Sequence, residues 1–208
     1  YDASLGFTAE NSILIYRNIF GVTKVGDIYI SHQSKSEKWA TPKPIAHKDK
    51  KISNKINSSY FESSASITSD GEYIYFVSDR PGGEGQADIY YVKKQGKTYT
   101  EPVNIGAHIN TGLDEKCVFI HPDGNTLFFT SNGRKESIGS YDIYYCTGGH
   151  ENWSNPVNMG SPINSFLEEK TINVSLDKKK AYVSAYYGIN NLGDADIYEI
   201  DVSSFNFK

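Results

Sequence analysis

The sequence contains few sulfur-bearing residues. Among its 208 residues are two cysteines, Cys117 and Cys146, and a single methionine. Two cysteines are too few for a disulfide framework or for a zinc site with paired ligand spacing. We interpret both as buried, unreactive thiols, because free cysteine is among the most buried residue types. We expect no bound metal and no cofactor.

Long apolar runs and an excess of positive charge are also missing. No apolar stretch approaches the roughly 18 to 20 residues that cross a bilayer, so no transmembrane segment is expected in this chain. The formal net charge is −4, and Lys and Glu are interspersed without a basic stripe that could follow a phosphate backbone. Nucleic acid is therefore not an expected partner.

Aromatic residues and glycine are abundant, with 16 Tyr, 10 Phe and 18 Gly. The apolar residues come in short runs that are bounded by Gly, Asp, Asn and Pro, a pattern typical of strands and turns. The hydrophobic fraction of 38% is that of an ordinary globular chain, long enough for one well-buried domain. We therefore expect a single all-β domain over residues 1–208.

The sequence consists of four copies of one repeat, marked by the triplet Asp-Ile-Tyr. Each triplet is followed by an aromatic residue, then in three copies by Pro and by an Ile-Asn pair. The triplets lie at 27–29, 88–90, 142–144 and 196–198, the aromatics at 39, 99, 153 and 207, and the Ile-Asn pairs at 56–57, 109–110 and 163–164. The repeats span approximately 1–57, 58–110, 111–164 and 165–208. The first copy is longer, and its extra residues fall in a lysine-rich stretch, 47–55, which we expect to be a loop.

Each repeat has the pattern of one blade of a β-propeller. A tight turn, such as Asp70-Gly71 or Asp123-Gly124, joins two apolar runs, and a third strand and a short outer strand follow. The strands are apolar on both faces, as expected for blades that pack face to face around an axis. The predicted fold is a β-propeller of four-stranded antiparallel blades, four of which are visible. Of the two possible arrangements, a larger ring of five or six blades that includes these four is favoured over a closed ring of four. A β-sandwich fits four equivalent units less well.

Two acidic positions recur in the repeats. The Asp of each triplet is expected to accept hydrogen bonds from the preceding loop, as a structural cap. A second acid lies eight residues before each turn, at Asp2, Glu62, Glu115 and Glu169. We expect these four carboxylates to surround one mouth of the central channel and to face water or a bound cation. Such a ring could bind a cationic peptide, a lysine-bearing partner or a metal ion. The alternative is structural, with each Glu paired to a neighbouring cation such as Lys116 or Lys170, or capping a turn.

No catalytic signature is found. The sequence has no Gly-x-Ser-x-Gly elbow, no His-Glu-x-x-His and no Gly-rich phosphate loop, and its five histidines occupy unrelated repeat positions. Arg80 and Arg134 lie in loops after the second strands, and we interpret them as surface residues or as packing on the adjacent blade. We expect no catalytic residue and no enzymatic activity.

The segments 69–83, 87–91, 153–160 and 162–164 together resemble the TolB-type, WD-like propeller repeats. They are similar in particular to the propellers within OmpA-family proteins of Gram-negative bacteria. The fourth copy departs from the pattern, with Asp177-Lys178 replacing the Asp-Gly turn. The resemblance implies a periplasmic, outer-membrane-associated scaffold that binds a protein or peptide and tethers an envelope or secretion complex to peptidoglycan. It leaves the oligomeric state undefined.

Two other functions remain open. The chain could be the substrate-gating propeller of a larger serine hydrolase, whose gene would then carry a Gly-x-Ser-x-Gly segment downstream. It could also be a glycan-binding propeller, which would need suitably spaced carboxylates in a channel with exposed aromatic side chains.

Overall fold

The computed structural model describes residues 2–18, 26–150, 152–187 and 193–207, with the backbone alone for residues 2–4. The described strands form four antiparallel sheets, which are four consecutive blades. Blade 1 comprises β1 (Asp2–Phe7), β2 (Ser12–Arg17), β3 (Asp27–His32) and β4 (Lys43–Pro44). Blade 2 comprises β5 (Glu62–Ile67), β6 (Tyr73–Ser78), β7 (Asp88–Gln95), β8 (Thr98–Tyr99) and β9 (Val103–Asn104).

Blades 3 and 4 follow the same order. Blade 3 comprises β10 (Glu115–Ile120), β11 (Thr126–Ser131), β12 (Asp142–Gly149), β13 (Asn152–Trp153) and β14 (Val157–Asn158). Blade 4 comprises β15 (Glu169–Val174), β16 (Lys180–Ala185) and β17 (Asp196–Asp201). The all-β, four-blade propeller is thus confirmed. In blades 2 and 3 the outer strand is split into two short pieces that both pair with the third strand.

The tight turns between the first two strands require a left-handed backbone. Gly71 and Gly124 each have φ of 72°, which glycine adopts without steric cost. The other two blades place non-glycine residues there, Asn11 at φ 53° and Lys178 at φ 56°. The turn geometry is therefore kept where the Asp-Gly signal is lost.

The lysine-rich insertion of the first repeat is a helix rather than the expected loop. Helix α1 spans Lys50–Ile56, about two turns at 3.6 residues per turn. Asp49 caps it by accepting a hydrogen bond from the Ile52 N–H, and Ile56 is buried in the core between blades 1 and 2. The insertion forms a helix because Asp49 caps it and Ile56 is buried. Its lysine-rich composition alone did not indicate either feature.

The hydrophobic core lies between successive blades, in three clusters. Leu14 and Ile28 of blade 1 pack with Ile74 and Phe76 of blade 2. Tyr75 and other residues of blade 2 pack against blade 3, and blade 3 packs against blade 4 in the same way. The two cysteines are free and buried, Cys117 on β10 and Cys146 on β12. Apolar residues on both faces of each sheet are explained by this stacking.

The outward faces at the two ends of the row of blades are exposed. The triplet isoleucines of blades 1 to 3, Ile28, Ile89 and Ile143, are fully buried, whereas Ile197 of blade 4 is 78% exposed. At the other end, Trp39 of blade 1 is 46% exposed, but its counterpart Trp153 is only 7% exposed. Within the described residues, these two faces lack the neighbouring blade that covers the equivalent faces elsewhere.

This difference predicts unequal effects of the same substitution in two copies of the repeat. Ile143→Ala should lower the free energy of unfolding by about 2–5 kcal/mol, because it removes buried methyl groups and leaves a cavity. Ile197→Ala should change it by less than about 0.5 kcal/mol, as at other exposed positions. Urea unfolding of the two variants measures both values. Equal losses would show that the face of Ile197 is covered in solution.

Candidate functional site

The recurring acids were the candidate site, and blade 2 shows how one of them is held. Glu62 begins β5 and is fully buried. Its carboxylate accepts hydrogen bonds from the Ser58 N–H at 3.1 Å, the Ser58 hydroxyl at 2.7 Å and the Ser78 hydroxyl at 2.9 Å. Arg80 completes the set with an ion pair at 2.9 Å. The same guanidinium donates to the Lys55 and Ile56 carbonyl oxygens.

Blades 3 and 4 repeat the hydrogen bonds from the preceding segment to the Glu, but among the described residues neither Glu has an ion pair like that of Glu62 with Arg80. Glu115 accepts hydrogen bonds from the Thr111 N–H at 3.0 Å and hydroxyl at 2.9 Å, and from the Ser131 hydroxyl at 2.7 Å. Glu169 accepts from the N–H and hydroxyl of Ser165 at 3.1 and 2.7 Å. Each Glu therefore binds the segment that enters its blade.

The expectation that these carboxylates face water is wrong for Glu62, Glu115 and Glu169, which are all fully buried. The physical reason is that each satisfies backbone and hydroxyl donors, whose loss of water must be compensated inside the protein. Arg80 is a structural partner rather than a surface residue. The side chain of Asp2 lies outside the described residues. Binding of a cationic partner by these four positions stays a prediction, and the three described carboxylates are all buried.

The lysines beside the glutamates contact aromatic rings instead. The ammonium of Lys116 lies 3.8 Å from the ring centroid of Tyr141, whose hydroxyl donates to Asp114 at 2.8 Å. Lys170 donates to the Tyr186 hydroxyl at 2.7 Å. These Lys-Tyr pairs lie where the innermost strands begin, so this end of the propeller carries mixed charges rather than a ring of acids.

The asparagine of each Ile-Asn pair forms a second repeated contact. The Asn110 side-chain amide accepts from the Ile89 N–H at 2.9 Å and donates to the Ile89 carbonyl oxygen at 3.0 Å. Asn57 binds Ile28 in the same two-bonded way, and Asn164 binds Ile143. The Asn side chain thus forms, with the backbone of the third strand, the two hydrogen bonds that a neighbouring strand would otherwise form. This contact explains why the Ile-Asn pair and the triplet recur together.

The triplet Asp acts as the expected cap in blades 2 and 3. Asp88 accepts from the Glu84 N–H at 2.7 Å. Asp142 accepts from the N–H groups of Ile138 at 2.6 Å and Gly139 at 2.9 Å. These carboxylates order the loop that leads into the third strand.

Glu169 differs from its counterparts because blade 4 has Ala185 and Tyr187 in place of the serine and the arginine. Tyr187 donates to the Ile163 carbonyl oxygen, the atom equivalent to the one that Arg134 binds at Ile109. The tyrosine keeps this hydrogen bond but brings no positive charge. Burial raises the pKa of Glu169 to about 7, and one of its buried carboxylate oxygens has no hydrogen-bond partner among the described residues. Burial also raises the pKa of Glu62, but Arg80 opposes the effect there.

A cavity of about 400 Å³ opens between blades 2 and 3, beside the buried Glu115. Apart from Glu115, its lining side chains were not predicted as site residues. They include Phe61, Ser63, Asp79, Gln86, Asp114 and Lys116. Sequence reasoning missed them because it searched for residues that recur, whereas these positions differ from copy to copy. Their variation within an otherwise regular repeat is the feature of the sequence that could have identified them.

The described part of the chain has no group of three or more His, Cys, Asp or Glu placed to hold a metal ion. Among the same residues, no helix is both long and apolar enough to cross a membrane.

The asparagine contact can be tested by one substitution. Asn110→Ala leaves the buried Ile89 N–H without its acceptor, which should cost about 1–3 kcal/mol of unfolding free energy. Asn155→Ala is the matched control, since this residue is exposed and should change stability little. Chemical denaturation provides the measurement. Equal stability of the two variants would contradict the structural role of Asn110.

Glu169 predicts a pH dependence of stability. Its pKa is about 7 in the folded state against an ordinary value of 4.5, so between these pH values the folded state retains a proton that the unfolded state has released. The stabilisation that comes from this retained proton is complete below pH 4.5. The free energy of unfolding should therefore fall as pH rises towards 7. Glu169→Gln should flatten this decrease, and Tyr187→Arg should do so by supplying a counter-charge. Glu199→Gln, at an exposed position, should leave the slope unchanged. Identical slopes in all variants would refute this assignment.

Comparison with known proteins identifies the fold alone. No family model matches the chain, and no curated protein does. Among solved structures, a puromycin hydrolase mutant complexed with PGG matches with a TM-score of 0.56 and 9% identity, over 98% of this chain and 27% of that chain. A structure from a study of two prolyl endopeptidases has a TM-score of 0.43 and 10% identity, over 95% of this chain and 25% of that chain. This chain thus spans about a quarter of the length of the solved structures it matches, and at such identity the likeness extends to the propeller fold only.

Proposed function

We propose that this chain is a non-catalytic binding propeller that holds a protein or peptide segment in the cavity between blades 2 and 3. The observation that supports this function is an open cavity of about 400 Å³ whose lining mixes an aromatic ring, carboxylates, an amide and an ammonium group. Ligand pockets are typically about 300–1,000 Å³. This cavity is therefore large enough for a few side chains of an extended segment.

The lining suits a peptide with a basic side chain. Asp79 and Asp114 provide carboxylates, and the half-exposed Phe61 provides a ring on which a Lys or Arg stem can pack. Asp79 also accepts from the Phe61 N–H at 2.7 Å, which fixes the two residues relative to each other. Gln86 can bind a peptide backbone with both donor and acceptor. A cationic partner was expected from the sequence, and here it would use residues other than the buried glutamates.

The absence of enzymatic activity is part of this proposal. The lining contains no His or Cys that could serve as a base or a nucleophile. Glu115 lines the cavity, but its carboxylate is already engaged by Thr111 and Ser131. We therefore propose that the side chains around this cavity bind and orient a partner without catalysing a reaction.

The cellular setting is proposed from the repeats. Their resemblance to the propellers of OmpA-family proteins favours a periplasmic, outer-membrane-associated scaffold that tethers an envelope or secretion complex to peptidoglycan. In that setting the cavity would hold a segment of another envelope protein.

A second candidate function is a propeller that controls substrate access to a serine hydrolase. It is favoured by the fold match to the puromycin hydrolase structure. The two candidates differ in one reaction: a polypeptide that contains this propeller together with a serine hydrolase domain would be labelled by a fluorophosphonate probe. A scaffold would not be labelled.

The binding function predicts that filling the cavity abolishes peptide binding. Peptides selected from a phage-displayed random library on the folded chain should be enriched in Lys and Arg. Ser63→Tyr places a ring in the cavity and should weaken the selected peptides at least about tenfold, equivalent to about 1.4 kcal/mol. Ser63→Ala is the matched control and should bind within about twofold of the parent, well under that free-energy difference. Selected peptides that bind Ser63→Tyr normally would place the binding surface elsewhere.

A further inference from the structure

A second concave surface lies between blades 1 and 2, on the side of the insertion. It consists of two adjoining cavities of about 370 and 230 Å³, which share Ile30, His32, His47 and Lys48 in their linings. We refer to the two together as the basic cleft. We propose that the basic cleft binds a small organic anion that carries two or more phosphate or carboxylate groups.

The charge of the cleft is the first observation. Its linings contribute four lysines and two histidines, and neither lining contains a carboxylate. The residues are Lys43, Lys48, Lys94, Lys97, His32 and His47. Of the four lysines, Lys94 alone has a carboxylate within 4.0 Å in the described part of the chain, that of Glu72 at 3.6 Å. Such a concentration of positive charge in a chain of net charge −4 favours an anionic ligand.

The mutual influence of these cations is a second observation. The pKa of His47 is lowered by partial loss of water contact, and also by the positive charges of Lys43, Lys48 and His32. These three groups therefore lie close enough to His47 to repel its charged form. A bound anion would relieve this repulsion, since an opposite charge within about 4–6 Å stabilises the charged form of such groups.

The insertion that distinguishes the first repeat builds one wall of the cleft. Ala46 has φ of 56°, a left-handed backbone that is unfavourable for a residue with a Cβ. It precedes His47 and Lys48, which line both cavities. The nearest acid of the insertion, Asp49, is engaged by the Ile52 N–H and by the Thr98 hydroxyl. A strained backbone that presents a histidine and a lysine is consistent with a functional role.

The remaining lining residues define the rest of the ligand. Ile30 and Tyr99 provide an apolar surface, and Thr98 provides a hydroxyl. Lys48 and Lys97 both line the larger cavity. A ligand with at least two separated negative groups can therefore pair with more of these ammonium groups than a single small ion can. Phosphate and carboxylate groups share the oxygen acceptors that these donors require.

The test uses isothermal titration calorimetry of the folded chain at about 0.15 M ionic strength, where the Debye length is about 8 Å, with inorganic pyrophosphate and citrate as probes. The double variant Lys48→Gln/Lys97→Gln removes two charges from the cleft. The control Lys35→Gln/Lys38→Gln removes two exposed charges elsewhere on blade 1, so both proteins have the same net charge. We expect the cleft variant to raise the Kd of at least one probe tenfold or more, and the control to change it less than about twofold, since screened surface charges contribute little at a distance.

Binding of pyrophosphate alone would identify a phosphate ligand, and binding of citrate alone a carboxylate ligand. No binding of either probe, or an equal loss in the two variants, would overturn the proposal. Chemical-shift mapping on the parent chain gives an independent readout, because perturbations must be confined to the cleft whatever the variants do. Ser63→Tyr should leave both probes unaffected, so failure here is distinguishable from failure of the peptide site.

Discussion

The short connector between blades is the constraint on which the whole propeller depends. Each connector has the sequence Ile-Asn-Ser or Ile-Asn-Thr, at 56–58, 109–111 and 163–165. Its asparagine binds the backbone of the blade it leaves, and its Ser or Thr binds the buried Glu of the blade it enters. Neighbouring blades are thereby held at a fixed spacing, and the apolar side chains between them can pack. A buried carboxylate is costly, but its charge-assisted hydrogen bonds, about 1.5–3 kcal/mol each, offset much of the cost.

The repeat made the fold predictable, because four copies of one pattern carry more information than any single motif. The triplets, the turns and the apolar residues on both faces led to the correct blade order. In blades 2 and 3 the triplet Asp was also assigned correctly, since a short carboxylate before a strand has few other roles. The direction of the glutamate side chains could not be predicted from the sequence. Glu62 points into the protein because Ser58, which precedes it in the same connector, and Arg80, which follows the next strand, both bind its carboxylate, and the contact with Arg80 forms only once the two strands pair.

The positions that depart from the repeat are the ones that suggest function. The same asparagine and glutamate recur at all three described contacts between blades. These residues therefore explain the fold and not the choice of a binding partner. The departures are the insertion that forms α1 beside the basic cleft, the variable residues that line the cavity between blades 2 and 3, and Tyr187 in blade 4. A search for recurring residues finds the scaffold, whereas a search for deviations within the repeat finds the candidate binding surfaces.

Native-state hydrogen exchange of the triplet isoleucine amides tests the connector mechanism most directly. The Ile89 and Ile143 N–H groups donate to the Asn110 and Asn164 side chains rather than to a strand. If these contacts hold the blades, both amides should exchange only through opening reactions close to global unfolding. The Ile197 amide, for which the described residues provide no equivalent asparagine, should exchange much faster. Rapid exchange at Ile89 and Ile143, equal to that at Ile197, would contradict the account.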